Sequence, residues 1–288
     1  MLRLIIVTLT GLHVLLTFEC TMECDHCFVW GSPRARGTMS MEDIRSILRQ
    51  ARDVRDIEWI YFEGGEPFLH YNLLAAAIAE ASESGFKVGV VTNAYWAPSV
   101  PDALSWLEPL TGMIDDFSVS SDLFHSDGAG SQNPENAIAA ARQLGIPAAV
   151  ISIDSASLMH RGRAAEKLLT GRTHYPCERF SFCPHENLAE PGRVHVDPFG
   201  NIHICQGIVA GNLFETSLSR ICREYEPESH PIAGPLIAGG PAELLRHYEI
   251  EHNEEYVDAC HLCYSARVTL RGRFPDVLAP DQMHGKLF

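Results

Sequence analysis

Cys20-Thr21-Met22-Glu23-Cys24-Asp25-His26-Cys27 sets three thiols at spacings of three and two intervening residues. A cuboidal 4Fe–4S cluster takes four ligands, usually thiolates. Three of them on one loop leave the fourth iron open to a small chelating molecule, as an open zinc position admits a substrate. No fourth cysteine lies nearby; the next is Cys177. The competing chemistry is zinc, whose loops favour paired C-x2-C units and four closed ligands. Only the Cys24–Cys27 interval matches that.

The other cysteines are Cys177, Cys183, Cys205, Cys222, Cys260 and Cys263. Residues 1–7 are largely apolar, but Thr8, Thr10, Gly11 and His13 interrupt the run and no small-residue cleavage site follows. It is no signal peptide and too short for a membrane span, so it reads as a strand of a cytoplasmic protein. In a reducing compartment, nine cysteines point to metal or catalytic use rather than disulfides. A formal net charge of −15 argues against nucleic acid and against an anionic membrane surface, both of which need Lys and Arg.

At 288 residues, 46% of them apolar, the chain can bury one large core plus a smaller module. Residues 12–18 form a β-rich run that leads into Cys20. Ser40 caps a helix, with Asp43 three residues on and Ile44, Ile47, Leu48, Ala51 and Val54 at helical spacing. Residues 59–62 are a second strand. A helix over 73–81 is stopped by Gly85. Strands follow at 88–91, 117–120 and 148–153, with a helix between the last two that starts at Asn133-Pro134. Repeated βα units imply a parallel sheet with right-handed crossovers, either open or an incomplete barrel. Beyond about residue 162 the rhythm fades. Residues 194–204 read as a hairpin turning at 197–201, residues 227–241 as Pro/Gly-rich loop, and 242–249 as a helix. The expected division is a core over 1–165 and a second module over 166–288.

C-x3-C-x2-C after a first strand resembles the signature of radical S-adenosylmethionine (SAM) enzymes, which fold as a partial (β/α)6-type TIM barrel. Gly64-Gly65-Glu66-Pro67 after the second strand is similar to the family's GGEP motif, whose backbone contacts the methionyl amino group. Glycine suits a backbone that approaches a ligand closely; the same four residues would otherwise be an ordinary turn. Thr92-Asn93-Ala94 resembles a third-strand Thr-Asn-Gly contact, with Ala94 departing from Gly. By period-two geometry Ser118, Ser120 and Asp122 share one face of the fourth strand, where the family reaches the cofactor; a solvated strand end is the alternative. His26 stands where the family has an aromatic residue near adenine. Arg163 lies in a segment similar to the family's Gly-Arg-Ala and is a candidate for the cofactor carboxylate or a surface arginine.

The later cysteines resemble the family's twitch or truncated SPASM extension, which holds one auxiliary 4Fe–4S cluster. The resemblance implies Cys183, Cys205, Cys260 and Cys263 as ligands. Cys177 is the rival to Cys183, and Cys222 is an apolar filler. A structural zinc ribbon is the competing account. His185, His195 and His203 read as surface or pocket residues, with Glu186 a candidate substrate contact.

The resemblance further implies a flavodoxin, ferredoxin or reductase as electron donor, and hydrogen abstraction from a substrate carbon. Oxidation, cross-linking, or epimerisation with a thiol such as Cys177 returning hydrogen all remain open. The substrate is expected to be a small metabolite or, alternatively, a ribosomally made peptide. With the first strands beginning almost at once, no fused peptide-recognition domain is expected, although such a domain can be a separate protein. A non-catalytic metal-binding protein is the third possibility.

Overall fold

The computed structural model describes residues 8–125 and 131–286; the strand expected over residues 1–7 lies outside them. Five βα-connected strands come in order: β1 (Gly11–Thr17), β2 (Trp59–Gly64), β3 (Lys87–Thr92), β4 (Asp116–Ser120) and β5 (Ala148–Ile151). All pair in parallel with their sequence neighbours. Helices α1 (Met41–Arg52), α2 (Tyr71–Glu83), α3 (Val100–Leu107) and α4 (Asn133–Gln143) connect them. Ser40 and Asp43 form a reciprocal capping box at the start of α1, which supplies two of the backbone donors that a helix start leaves unpaired. Ile44, Ile47, Leu48 and Ala51 of α1, and Leu74, Ala77, Ile78 and Ala81 of α2, are buried in the core. The cap of α4 is Gln132, one residue earlier than expected, and the Asn133 side-chain Nδ2 instead donates to the Tyr95 carbonyl.

A one-turn helix α5 (Ala164–Lys167) and the short strand β6 (Tyr175–Pro176) follow. The expected hairpin is formed by β7 (Arg193–Val196) and β8 (Asn201–Cys205), extended by β9 (Ile208–Asn212), which was not expected. Asp197 holds the turn by accepting from the Phe199 and Asn201 amides, and Gly200 takes a φ of +84°. The strand order is β5-β4-β3-β2-β1-β7-β8-β9. The open parallel barrel is therefore present, and its sixth parallel strand, β7, joins beside β1. The hairpin continues the main sheet.

Helices α6 (Leu218–Glu224), α7 (Ala233–Tyr248) and α8 (Ala259–Leu270) complete the chain, with β10 (Glu255–Tyr256) pairing with β6. The loop expected over 227–241 is half helix. Burial of Ala233 and Leu236 overrides its weak helix propensity, and the helix breaks only at Gly239 and Gly240. A Cβ on Gly240 would stand 2.2 Å from the Phe182 amide nitrogen, so this kink lies against the backbone that leads into Cys183. No helix among the described residues is long and apolar enough to cross a membrane.

Candidate active site

A cavity of about 650 Å3 opens at the C-terminal ends of the parallel strands. Ligands bind at that end of parallel α/β sheets. Cys20, Cys24, Cys27, His26, Gly64, Gly65, Thr92, Asn93, Ser118 and Ser120 all line it. An adjoining cavity of about 450 Å3 shares Asn93, Ser120 and His125 with it and adds Asp122.

The three-cysteine loop is clasped from several sides. Gly65 donates to the Thr17 carbonyl at 2.6 Å and Glu66 to the Glu19 carbonyl at 2.7 Å. A Cβ on Gly65 would stand 2.1 Å from that Glu19 oxygen, so glycine is required where the strand β2 exit crosses the β1 exit. Cys20 Sγ accepts from the Met22 amide and Cys27 Sγ from the Gly31 amide. Burial pushes the Cys20 thiol up to about 12, so its thiolate form needs a cation beside it. Three thiols on one wall, two already accepting backbone donors, fit the three protein-held irons of a site-differentiated 4Fe–4S cluster.

Three expected cofactor contacts have other tasks, and a fourth, Pro67, does not line the cavity. The Glu66 carboxylate is fully buried and accepts from the Phe68 amide, Thr92 Oγ1 and the Asn93 amide; neither Glu66 nor Pro67 lines the cavity. Thr92 Oγ1 also accepts from the Ala94 amide and Trp96 Nε1, leaving its hydroxyl no capacity for a ligand. Arg163 is the clearest correction. Its guanidinium is buried over the Trp30 ring and donates to the Cys24 and Gly31 carbonyls at 2.6 and 2.8 Å. It therefore braces the cysteine loop and is not presented to a cofactor carboxylate. The sequence shows the Gly-Arg-Ala segment but not the direction of its side chain.

Asp122 sits between two imidazoles, 2.9 Å from His125 Nδ1 and 3.4 Å from His26 Nε2. Burial holds His26 below its ordinary pKa, and a neutral ring is suited to stacking.

His13 and Glu63, not singled out in the sequence, occupy the barrel interior with His195, which was read as a surface or pocket residue. His13 pairs in register with His195 across β1 and β7, and with Tyr61 across β1 and β2. Glu63 lies two residues beyond Tyr61, on the same face. His13 Nδ1 and His195 Nε2 lie 3.0 and 3.1 Å from the same Glu63 Oε1. Burial would raise the Glu63 carboxyl, but the two imidazoles hold it well below the usual range. His203 departs from expectation: it is buried, with Nε2 3.0 Å from Asp197 Oδ2.

Cys183, Cys205, Cys260 and Cys263 converge on a second, apolar cavity with Arg161, His185, Glu186 and Arg267. Cys177 does not line it; its amide donates to the Glu254 carbonyl beside β6. Cys222 is buried in α6, as expected. Burial pushes the Cys263 thiol up to about 11. Arg267 is buried with no carboxylate at ion-pair distance among the described residues, and burial alone would weaken its charge. The neighbouring Cys263 and Cys205 instead raise its pKa, so thiolates are its available counter-charge. Four thiols and a buried cation fit a thiolate-bound metal cluster. Arg161 and Glu186 line both cavities and join them.

A parallel half-barrel carrying three thiols at the mouth of its cavity is the architecture of enzymes that hold a redox cluster beside a bound small molecule. Residues 14–154, just under half of the chain, match the model of the Radical SAM superfamily. The superfamily's cofactors are a 4Fe–4S cluster and SAM. The chain is 25% identical over 126 residues to the putative peptide biosynthesis protein YydG of Bacillus subtilis, covering 43% of this chain and 40% of that one. It spans less than half the length of the curated relatives it matches. The fold is similar to that of BtrN in complex with AdoMet and 2-DOIA (TM-score 0.51, 20% identity, 75% of this chain and 82% of that one). It is also similar to native anSMEcpe with bound AdoMet and Cp18Cys peptide (TM-score 0.50, 11% identity, 93% and 97%).

Proposed function

We propose that this chain is a radical SAM enzyme of the oxidoreductase type that carries one auxiliary 4Fe–4S cluster and oxidises its substrate at carbon. The three-cysteine wall of the main cavity carries this proposal. Cys20, Cys24 and Cys27 would hold the first cluster, whose open iron takes the SAM methionyl group. Bound together, cluster and SAM supply a 5′-deoxyadenosyl radical able to take hydrogen from an unactivated carbon. Gly64, Gly65, Asn93, Ser118, Ser120 and His26 line the space left for the cofactor, and Asp122 orients His26. Cys183, Cys205, Cys260 and Cys263 would hold the auxiliary cluster. Residues 1–165 then form the core and 166–288 the auxiliary module. The protein acts in the cytoplasm with a flavodoxin, ferredoxin or reductase as electron donor.

Two observations favour oxidation over epimerisation. Arg161 and Glu186 are shared by the two cavities, so the auxiliary thiols adjoin the substrate space and an electron leaving the substrate has an acceptor nearby. The only thiols lining the main cavity among the described residues are Cys20, Cys24 and Cys27, which leaves no separate hydrogen donor there. A small metabolite fits this cavity. Its similarity to a putative peptide biosynthesis protein favours the second reading, a peptide side chain or backbone carbon.

Metal counting tests the proposal. Anaerobically reconstituted protein should hold about eight irons and eight sulfides, and about four of each when Cys20, Cys24 and Cys27 are all replaced by Ala. Zinc bound by these cysteines in place of iron would refute it.

A further inference from the structure

We propose that His13, Glu63 and His195 form a third metal site, which binds one divalent transition-metal ion inside the substrate cavity. The donors come from three different strands, brought together by the β2-β1-β7 register. Each offers one ligand atom, and the three atoms lie within 4.8 Å of one another. Metal–nitrogen and metal–oxygen bonds of about 2.1 Å at right angles place neighbouring ligands about 3.0 Å apart. The observed separations from Glu63 Oε1 are 3.0 Å to His13 Nδ1 and 3.1 Å to His195 Nε2. The donors thus already stand at the spacing of one face of a coordination shell.

Their neighbours hold them in place. Tyr61 stacks on His13 with ring centroids 4.7 Å apart and planes 7° from parallel, and its hydroxyl donates to Asp116 at 3.0 Å. Phe28 packs edge-on to His195 at 5.7 Å. Two imidazoles and one carboxylate suit zinc or ferrous iron, whereas magnesium and calcium prefer all-oxygen shells. All three residues line the cavity, so the remaining coordination positions face it. An oxygen- or nitrogen-bearing group of the substrate would complete the shell, fixing the carbon to be attacked. That last role rests on the proposed function; the metal site does not.

The test uses anaerobically reconstituted holoprotein equilibrated with Zn2+ and then freed of excess. Wild type should carry about one zinc beyond that of Glu63→Gln and His195→Asn, at the same iron content in all three. Zinc affinity by calorimetry should fall about 100-fold or more in each variant. X-ray absorption at the zinc edge should show nitrogen and oxygen neighbours without sulfur. Equal zinc in wild type and variants, or a sulfur shell, would overturn the site, since the metal would then sit on cysteines. Should either variant misfold, His13→Asn takes its place. Low iron with a retained zinc difference would count against the clusters and leave this site standing.

Discussion

Arg163 donates to the carbonyl of Cys24 at 2.6 Å, tying the end of the βα core to the middle of the three-cysteine loop. Its second bond goes to the Gly31 carbonyl, so one side chain spans both flanks of Cys27. Arg163→Ala would leave these carbonyls without their charged donor, at a cost of about 3 kcal/mol or more. Reconstituted Arg163→Ala should lose iron from the first cluster, and Arg163→Lys should retain more because one ammonium can still reach one carbonyl. Wild-type iron content and melting temperature in Arg163→Ala would show that the loop does not need this brace.

Ala94 sits at a φ of +58° and is fully buried. Left-handed backbone costs an L-residue about 1 to 2 kcal/mol. Glycine would relieve that strain but lose about 0.8 kcal/mol of methyl burial and as much again in chain entropy. Ala94→Gly should therefore unfold within about 0.5 kcal/mol of wild type, while Ala94→Val, β-branched at positive φ, should lose about 3 kcal/mol or more. Chemical denaturation reads both.

Glu66 links the two loops beneath the cavity, and burial pushes its carboxyl up to about 7 despite three donors. An unfolded glutamate titrates near about 4.3. Between these values the native state holds more protons than the unfolded one, so the contribution of Glu66 to stability falls as pH rises toward 7. Glu66→Gln removes this titration and leaves one donor facing an amide, costing about 1 to 3 kcal/mol. The deficit of Glu66→Gln relative to wild type should be larger at pH 6 than at pH 8; a deficit independent of pH would mean Glu66 stays ionised throughout.

Cys260 and Cys177 make a matched pair. Cys260 lines the auxiliary cavity on α8, whereas Cys177 follows β6 and its backbone amide donates to the Glu254 carbonyl. Cys260→Ala should lose about half the iron and lower the melting temperature, because metal closing long loops contributes to folding. Cys177→Ala should keep all of it. The reverse pattern would transfer the fourth ligand to Cys177.

The three-cysteine loop is legible because its spacing is local: eight consecutive residues carry it. The βα rhythm was legible because each strand and helix shows its own period. The grouping of Cys183, Cys205, Cys260 and Cys263 followed from the family resemblance and not from spacing. Contacts set by non-local register were hidden. His13, Glu63 and His195 meet only because β7 joins β1, and nothing in the periodicity of residues 193–196 announces that neighbour. Arg163, Thr92 and Glu66 were found by motif, yet their side chains turn toward backbone groups of adjoining loops. The helix at Ala233 was missed because Gly and Pro signal loop wherever tertiary burial is not counted.

Cleavage of SAM tests most directly the proposed role of Cys20, Cys24 and Cys27 as cluster ligands. Anaerobically reconstituted protein, reduced with dithionite and given SAM alone, should release 5′-deoxyadenosine and methionine in equal amounts, seen by chromatography. The variant lacking all three thiols should release none. Wild-type protein with a full complement of iron and sulfide that releases no 5′-deoxyadenosine would contradict the account.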